Sequence, residues 1–85
     1  MKNMKITVHL ICRYKTMLNA ETLVLDIKNG DTIWEVIEHL VQKYPKLKKD
    51  KKRIIISKNN YFTTQNEKII DGDEITLTPP IVSGG

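Results

Sequence analysis

The most informative stretch of the chain is its C-terminal segment, which reads IIDGDEITLTPPIVSGG from Ile69 to Gly85. Residues 71–73 predict a tight turn, in which Gly72 takes a positive φ that other residues rarely adopt. Apolar and polar residues alternate over 75–78, which predicts a strand, and the two prolines that follow end it because proline has no N–H to donate. The segment therefore predicts a turn, a strand and a thin tail.

The two glycines at the end of this tail suggest a function for it. Glycine has no Cβ, so Gly84-Gly85 can enter a channel that is too narrow for larger side chains. A carboxylate at Gly85 is ionised at neutral pH and is a poor electrophile until it is activated, for example by adenylation. The residues alone leave two interpretations open, a reacting C-terminus or an ordinary frayed end.

Two segments near the N-terminus, Met4–Cys12 and Leu23–Ile27, alternate apolar and polar residues and predict two strands with one buried face each. The residues between them, Tyr14–Ala20, predict a loop or a loose hairpin connection. Cys12 falls on the apolar face of the first strand, which predicts a buried thiol. Because it is the single cysteine, an intramolecular disulfide is excluded.

The apolar period then changes to that of an amphipathic helix that begins after Thr32 and ends at about Tyr44. Thr32 is the predicted N-cap, and Glu35 completes a capping box with it. Further strands are predicted at Ile54–Ile56, Tyr61–Thr64 and Ile75–Thr78. A hairpin, one main helix and more strands predict an α+β domain of two layers, a mixed sheet of four to five strands with the helix packed across it.

Length and composition limit the possible functions. At 85 residues the chain is one small domain, too small to enclose a large catalytic pocket. We recognise no signal peptide and no apolar run near the roughly 20 residues that cross a bilayer, so we expect a cytoplasmic protein without a membrane partner. His9 and His39 are predicted on the surface. The sequence shows no nucleophile–base pair, phosphate loop or cluster of metal ligands, so we predict no metal site and no catalytic side chain.

The net charge of +4 is concentrated in one segment, Lys46 to Arg53, which contains six cations and one acid. This composition predicts a solvated loop after the helix. The segment has no interleaved aromatic residues, so nucleic-acid binding is the weaker interpretation and attraction to an acidic partner is the stronger one.

The C-terminal pattern resembles that of one family. An apolar residue, Asp-Gly-Asp-Glu, a strand, Pro-Pro, a short spacer and Gly-Gly are typical of the small subunit of molybdopterin synthase and of the related ubiquitin-like sulfur carriers. The matching residues are Asp71, Gly72, Asp73, Glu74, Pro79, Pro80, Gly84 and Gly85. The resemblance implies a ubiquitin-like β-grasp domain over residues 1–80, with its first and last strands parallel at the sheet centre, and a flexible diglycine tail over residues 81–85.

The resemblance also implies the chemistry. Gly85 is expected to be adenylated by an ATP-dependent, ubiquitin-activating-like adenylyltransferase, and a sulfur donor protein is expected to convert the adenylate to a thiocarboxylate. The carrier binds no cofactor, because ATP is used by the activating partner. In molybdopterin synthase the tail then enters the large catalytic subunit and gives its sulfur to a pyranopterin, so the carrier is not an enzyme by itself.

The exit of the tail is the predicted partner-binding face, because apolar residues so close to a free end cannot all be core. Its predicted residues are Leu77, Thr78, Pro79, Pro80, Ile81 and Val82, followed by Ser83 and Gly84 in the tail and Gly85 as the reacting residue. The spacer over 81–83 is one residue longer than is common in the family, and the last strand lacks the aromatics often found there. The acceptor therefore stays open: a carrier for thiamine, tRNA thiolation or cysteine, or a modifier conjugated to lysines, needs the same tail.

Overall fold

The computed structural model describes residues 3–28 and 32–80. The elements, in chain order, are β1 (Asn3–Leu10), α1 (Arg13–Leu18), β2 (Thr22–Lys28), α2 (Ile33–Lys43), a 3-10 helix (Pro45–Asp50), β3 (Ile55–Lys58), β4 (Tyr61–Thr63) and β5 (Glu74–Thr78). The strands form one sheet in the order β2-β1-β5-β3-β4, in which β1 and β5 are parallel and the other neighbours are antiparallel. The predicted mixed sheet is confirmed, and so is the parallel pairing of the first and last strands at its centre.

The core contains one face of the sheet and the apolar face of α2. β1 has the period of two that the sequence predicts, and α2 has the helical period. The buried residues of these two elements are Met4, Ile6, Val8 and Leu10 in β1, and Ile33, Val36, Ile37 and Leu40 in α2. Ile75 and Leu77 add the contribution of β5. Burial of this set is the main favourable contribution to folding, because each large apolar side chain contributes about 1.5–3 kcal/mol when it leaves water.

The free N–H groups in the first turn of α2 find hydrogen-bond acceptors other than the predicted ones. Thr32 is the N-cap, but its side chain makes no capping hydrogen bond, so the predicted capping box is wrong. Instead the Ile33 N–H donates to the Glu67 carbonyl, and the Trp34 N–H donates to the Gln65 carbonyl, both at 2.9 Å. The loop that precedes β5 thus supplies acceptors for the free donors of the helix.

The connection between β1 and β2 is helical, so the predicted loop over Tyr14–Ala20 is wrong. Tyr14 and Leu18 lie four residues apart, on one face of α1, and both are buried. β1 ends at Leu10, before the alternation reaches Cys12. Cys12 therefore lies in the turn to α1, with a φ of 55°, and its thiol is exposed, which overturns the predicted buried position.

The basic segment is also more ordered than predicted. Residues 45–50 form the 3-10 helix, in which Leu47 is fully buried and Asp50 is 2% exposed. The segment is therefore a surface fixed to the core at two points, and the predicted solvated loop is wrong for this part of it.

Two further predictions concern the surface. His39 is exposed and His9 is half-buried at the surface, as expected. Within residues 3–28 and 32–80, no helix is long and apolar enough to cross a bilayer.

Candidate functional site: the exit of the C-terminal tail

The first residue of the predicted partner-binding face, Leu77, is a core residue. It lies opposite Leu10 of β1 and Ile56 of β3, and its side chain is fully buried. The alternation of β5 directs Leu77 to the helix side of the sheet, so the prediction that it belongs to an exposed face is wrong. Thr78 lies opposite Ile55 and is half-buried.

The two prolines follow β5 directly. The strand ends at Thr78 as predicted, and both Pro79 and Pro80 are buried. They restrict the backbone where the chain leaves the sheet, because each fixes its own φ. They do not form the exposed apolar surface that we predicted for them. The predictions for Ile81, Val82, Ser83, Gly84 and Gly85 lie outside the described residues.

The turn over residues 71–73 aligns β5 with β1. Gly72 has a φ of 89° and donates its N–H to the Lys5 carbonyl at 2.9 Å. The Lys5 N–H donates to the Asp71 carboxylate at 2.7 Å, and the Thr7 N–H donates to the Asp73 carbonyl at 3.0 Å. These bonds determine the parallel register and hence where the tail leaves the sheet. The predicted turn role of the two aspartates is confirmed.

A partly buried ion-pair network contacts this turn through Asp73. Lys58, at the end of β3, donates from Nζ to the Glu67 carboxylate at 3.0 Å and to the Lys68 carbonyl at 3.2 Å. Nζ is also 3.6 Å from Asp73, whose carboxylate accepts the Ile70 N–H at 2.9 Å. The network joins β3, the loop before β5 and the turn itself.

The hydrogen bonds of this network favour the charged forms of Lys58 and Glu67. The hydrogen bond to Glu67 raises the pKa of Lys58, against the effect of desolvation. The hydrogen bond from the Thr63 hydroxyl, followed by that from Lys58, lowers the pKa of Glu67. Both shifts move the titration of these groups away from neutral pH, so the network is suited to holding structure and not to exchanging protons.

The sheet face that points away from α2 was not predicted as a site. A row across it contains Thr22, His9, Thr76, Ser57 and Phe62, which lie opposite one another in register. His9 Nε2 is 2.8 Å from the Glu74 carboxylate, and Phe62 is 81% exposed on the edge strand β4. Phe62 is on this face because it lies opposite Ser57, and the three residues of β4 show no apolar–polar alternation that could have predicted it. Nowhere in the described ranges do three potential metal ligands come together.

A parallel pair of central strands, one helix across the sheet and a last strand that carries the C-terminal residues out of the domain define a ubiquitin-like β-grasp protein. A model of the ThiS family matches residues 8–85. The chain belongs to the ThiS family.

Two curated relatives share one description. The molybdopterin synthase sulfur carrier subunit of Arabidopsis thaliana is 29% identical over 83 residues, which cover 98% of this chain and 85% of the relative. The protein of the same description from Mycobacterium tuberculosis is 27% identical over 60 residues, with coverages of 71% and 72%. The predicted relationship to the small subunit of molybdopterin synthase is confirmed.

Solved structures agree on the fold. The small archaeal modifier protein 1 of Methanosarcina acetivorans is 26% identical and superposes with a TM-score of 0.78, with full coverage of both chains. The HVO 2177 protein of Haloferax volcanii has a TM-score of 0.84 at 16% identity, covering 96% of this chain and 88% of its own. A chain of the complex of subunits 1 and 2 of the molybdopterin-converting factor from Helicobacter pylori has a TM-score of 0.62 at 23% identity, covering 95% and 100%.

Proposed function

We propose that this protein is the sulfur-carrier subunit of a molybdopterin synthase and that Gly85 carries the sulfur as a thiocarboxylate. The observation that carries the proposal is the match to a sulfur carrier subunit of that enzyme over 98% of this chain. Membership of the ThiS family supports it. The protein acts as a carrier within a complex and is not catalytic alone.

The proposed chemistry takes place at the terminal carboxylate. A carboxylate oxygen of Gly85 attacks the α-phosphorus of ATP on the adenylyltransferase, and pyrophosphate leaves. A persulfide on the donor protein then attacks the acyl carbon through its outer sulfur, and AMP leaves with the electrons of the broken C–O bond. A thiol then attacks the inner sulfur of the resulting acyl disulfide, so that the S–S bond breaks, the outer sulfur stays on the acyl carbon, and the donor sulfur and the thiol form a disulfide. The product is the thiocarboxylate, and ATP is a substrate of the partner enzyme and not a cofactor of the carrier.

The folded domain determines where the tail leaves the sheet. β5 lies between β1 and β3, and the turn over 71–73 holds its start to β1 through three backbone donors. Two buried prolines follow the strand, so the tail begins from a rigid point. This supports a division into a folded domain over 1–80 and a reacting tail over 81–85.

The large catalytic subunit is the proposed partner in sulfur transfer. The Helicobacter pylori chain that shares this fold was solved in a complex of subunits 1 and 2. We place the contact at Thr78 and at the tail residues Ile81 and Val82, since Leu77, Pro79 and Pro80 are buried. The cytoplasm stays the predicted location.

Deletion of Gly84-Gly85 tests the carrier chemistry. The full chain and the truncated chain are incubated with adenylyltransferase, ATP and a sulfur donor, and mass spectrometry detects replacement of one oxygen by sulfur. We expect the thiocarboxylate in the full chain and in the Ser83→Ala control, and none in the truncated chain, whose circular dichroism stays unchanged. A thiocarboxylate on the truncated chain, or none on the full chain, contradicts the proposal.

The docking contact has its own test. Ile81→Asp is expected to weaken binding to the large subunit, measured by calorimetry, without changing the unfolding curve. Ile70→Asp is the matched control, because Ile70 is 66% exposed and lies before the turn that starts β5. Equal affinities of the two variants count against a contact at the exit.

A second candidate is a ubiquitin-like modifier that is conjugated to lysines through Gly85. The likeness to the small archaeal modifier protein 1 of Methanosarcina acetivorans favours it. The modifier predicts isopeptide adducts, whereas a carrier predicts a free thiocarboxylate. A carrier for thiamine, tRNA thiolation or cysteine differs from a molybdopterin carrier in the molecule that receives its sulfur. Under the proposed function, we expect sulfur to appear on a pyranopterin when the large subunit is added.

A further inference from the structure

We propose that the domain binds an acidic segment of a partner protein through a basic face, defined as Lys46, Lys48 and Lys49 with Met17 and Pro45 between α1 and the 3-10 helix. The proposal goes beyond the carrier function, because it concerns a surface of the folded domain and requires no reaction at Gly85. Four features of the structure support it.

The first feature is that the charged residues lie on an ordered 3-10 helix and not on a solvated loop. Leu47 is fully buried and fixes the 3-10 helix to the core. Lys46, Lys48 and Lys49 are exposed on this helix, so the helical backbone fixes the points from which their side chains extend. Binding to such a surface costs less conformational entropy than binding that must first order a loop of the domain.

The second feature is the orientation of the Asp50 side chain. Asp50 is the one acidic residue between Lys46 and Arg53, and it points inward with 2% exposure. It accepts hydrogen bonds from the Tyr14 hydroxyl at 2.8 Å and from Arg13 at 3.0 Å. The segment carries a net charge of +5 against +4 for the whole chain, so the rest of the molecule is close to neutral. The outward charge of this face is therefore entirely positive.

The third feature is that one lysine of the segment has a structural role. Lys51 pairs with Glu38 and lies 4.6 Å from the centre of the Trp34 ring. This contact fastens the end of the basic segment to α2, and Lys51 is therefore not part of the basic face.

The fourth feature is an apolar groove within the charges. Met17, Pro45, Lys46, Lys48 and Lys49 line a shallow groove of about 640 Å³. The apolar floor suits an apolar side chain, and the lysines at its rim suit flanking carboxylates. Among the described residues that line this groove none is aromatic, so they provide no stacking surface of the kind that single-stranded nucleic acids use. An acidic peptide with an apolar residue is the ligand that fits both parts.

The basic face lies at the end of the sheet at which β5 ends. Thr78, the last residue of β5, lies opposite Ile55, which comes two residues after the end of the basic segment at Arg53. A protein that receives the tail thus approaches the end of the domain that carries the positive charge, and opposite charge speeds such encounters.

A synthetic peptide tests the proposal on the full-length domain. The probe is fluorescein-labelled Glu-Asp-Leu-Glu-Asp-Glu, and fluorescence anisotropy at low salt measures its dissociation constant. We expect Lys48→Gln/Lys49→Gln to weaken binding about fivefold or more, because two rim charges are lost. The matched control is Lys5→Gln/Lys68→Gln, which removes the same charge from exposed positions elsewhere and is expected to change affinity less than about twofold.

The groove is tested separately. Met17→Gln and a peptide with serine in place of leucine are each expected to weaken binding about threefold. The proposal is overturned by equal losses in the two double variants, by equal affinity for the serine peptide, or by no binding. Tighter binding of hexauridylate than of the peptide also overturns it, because the face is then a nucleic-acid site.

Discussion

The Tyr14 hydroxyl donates a hydrogen bond of 2.8 Å to the Asp50 carboxylate, and both side chains are buried. Burial, then the hydrogen bond to Asp50, raise the pKa of Tyr14, so the hydroxyl stays a donor across the physiological range. This contact joins α1 to the 3-10 helix. Two short helices far apart in sequence thus hold each other at one end of the sheet.

Tyr14→Phe is expected to lower the free energy of unfolding by about 1–3 kcal/mol, because the Asp50 carboxylate, which is 2% exposed, loses one of its hydrogen-bond donors. Urea unfolding measures the change. Tyr61→Phe is the control, since Tyr61 is 57% exposed, and is expected to cost less than about 0.5 kcal/mol. Equal unfolding midpoints for the two variants would show that the contact adds nothing to stability.

Leu77→Ala is expected to destabilise the domain by about 2–5 kcal/mol, because it removes a fully buried side chain and leaves a cavity. Chemical denaturation measures the loss, with Thr78→Ala at the half-buried neighbouring position as the milder comparison. A Leu77→Ala protein of unchanged stability with lost partner binding would restore Leu77 to the docking face.

The Lys58–Glu67 pair predicts a pH dependence of stability. The folded pKa of Glu67 is lowered, so its contribution is present above the unfolded pKa of about 4.3 and is lost as the pH falls through the folded pKa. The folded pKa of Lys58 is raised, so its contribution is present below an unfolded pKa of about 10.4 and is lost as the pH rises through the folded pKa.

Glu67→Gln is therefore expected to lose less stability than the original protein on acidification, because the group that titrates is gone. Urea unfolding of both proteins between about pH 6 and pH 3, which brackets the ordinary carboxyl range, measures how the free energy of unfolding of each depends on pH. Asn66→Ala is the control and is expected to keep the original slope, because Asn66 is an exposed neighbour of Glu67 that carries no titratable group. The prediction fails if the Glu67→Gln curve parallels that of the original protein.

Gly72→Ala is expected to cost about 1–2 kcal/mol through backbone strain alone, because φ is 89° and, apart from Gly72 and its two chain neighbours, no described residue has an atom within 4 Å of an added Cβ. Gly72→Asn is expected to cost less, since asparagine tolerates a positive φ better. Thermal unfolding of the two variants checks the order. An alanine variant as stable as the original protein would show that the turn relaxes.

The predictions that held rest on local patterns. The alternation of β1 and β2, the helical period of α2 and the turn at Gly72 each depend on residues close in sequence, so they are visible without the fold. The C-terminal pattern indicated the family because it combines several rare local choices within seventeen residues.

The sequence by itself determined the strands, the main helix α2, their order and the family of this protein. Tertiary structure decided the rest: the helical form of α1, the exposure of Cys12, the inward direction of Asp50 and the burial of Leu77. The reason is physical. A local period shows which residues can share a face, but whether that face meets the core, a distant carboxylate or water depends on chain segments as far apart as Tyr14 and Asp50.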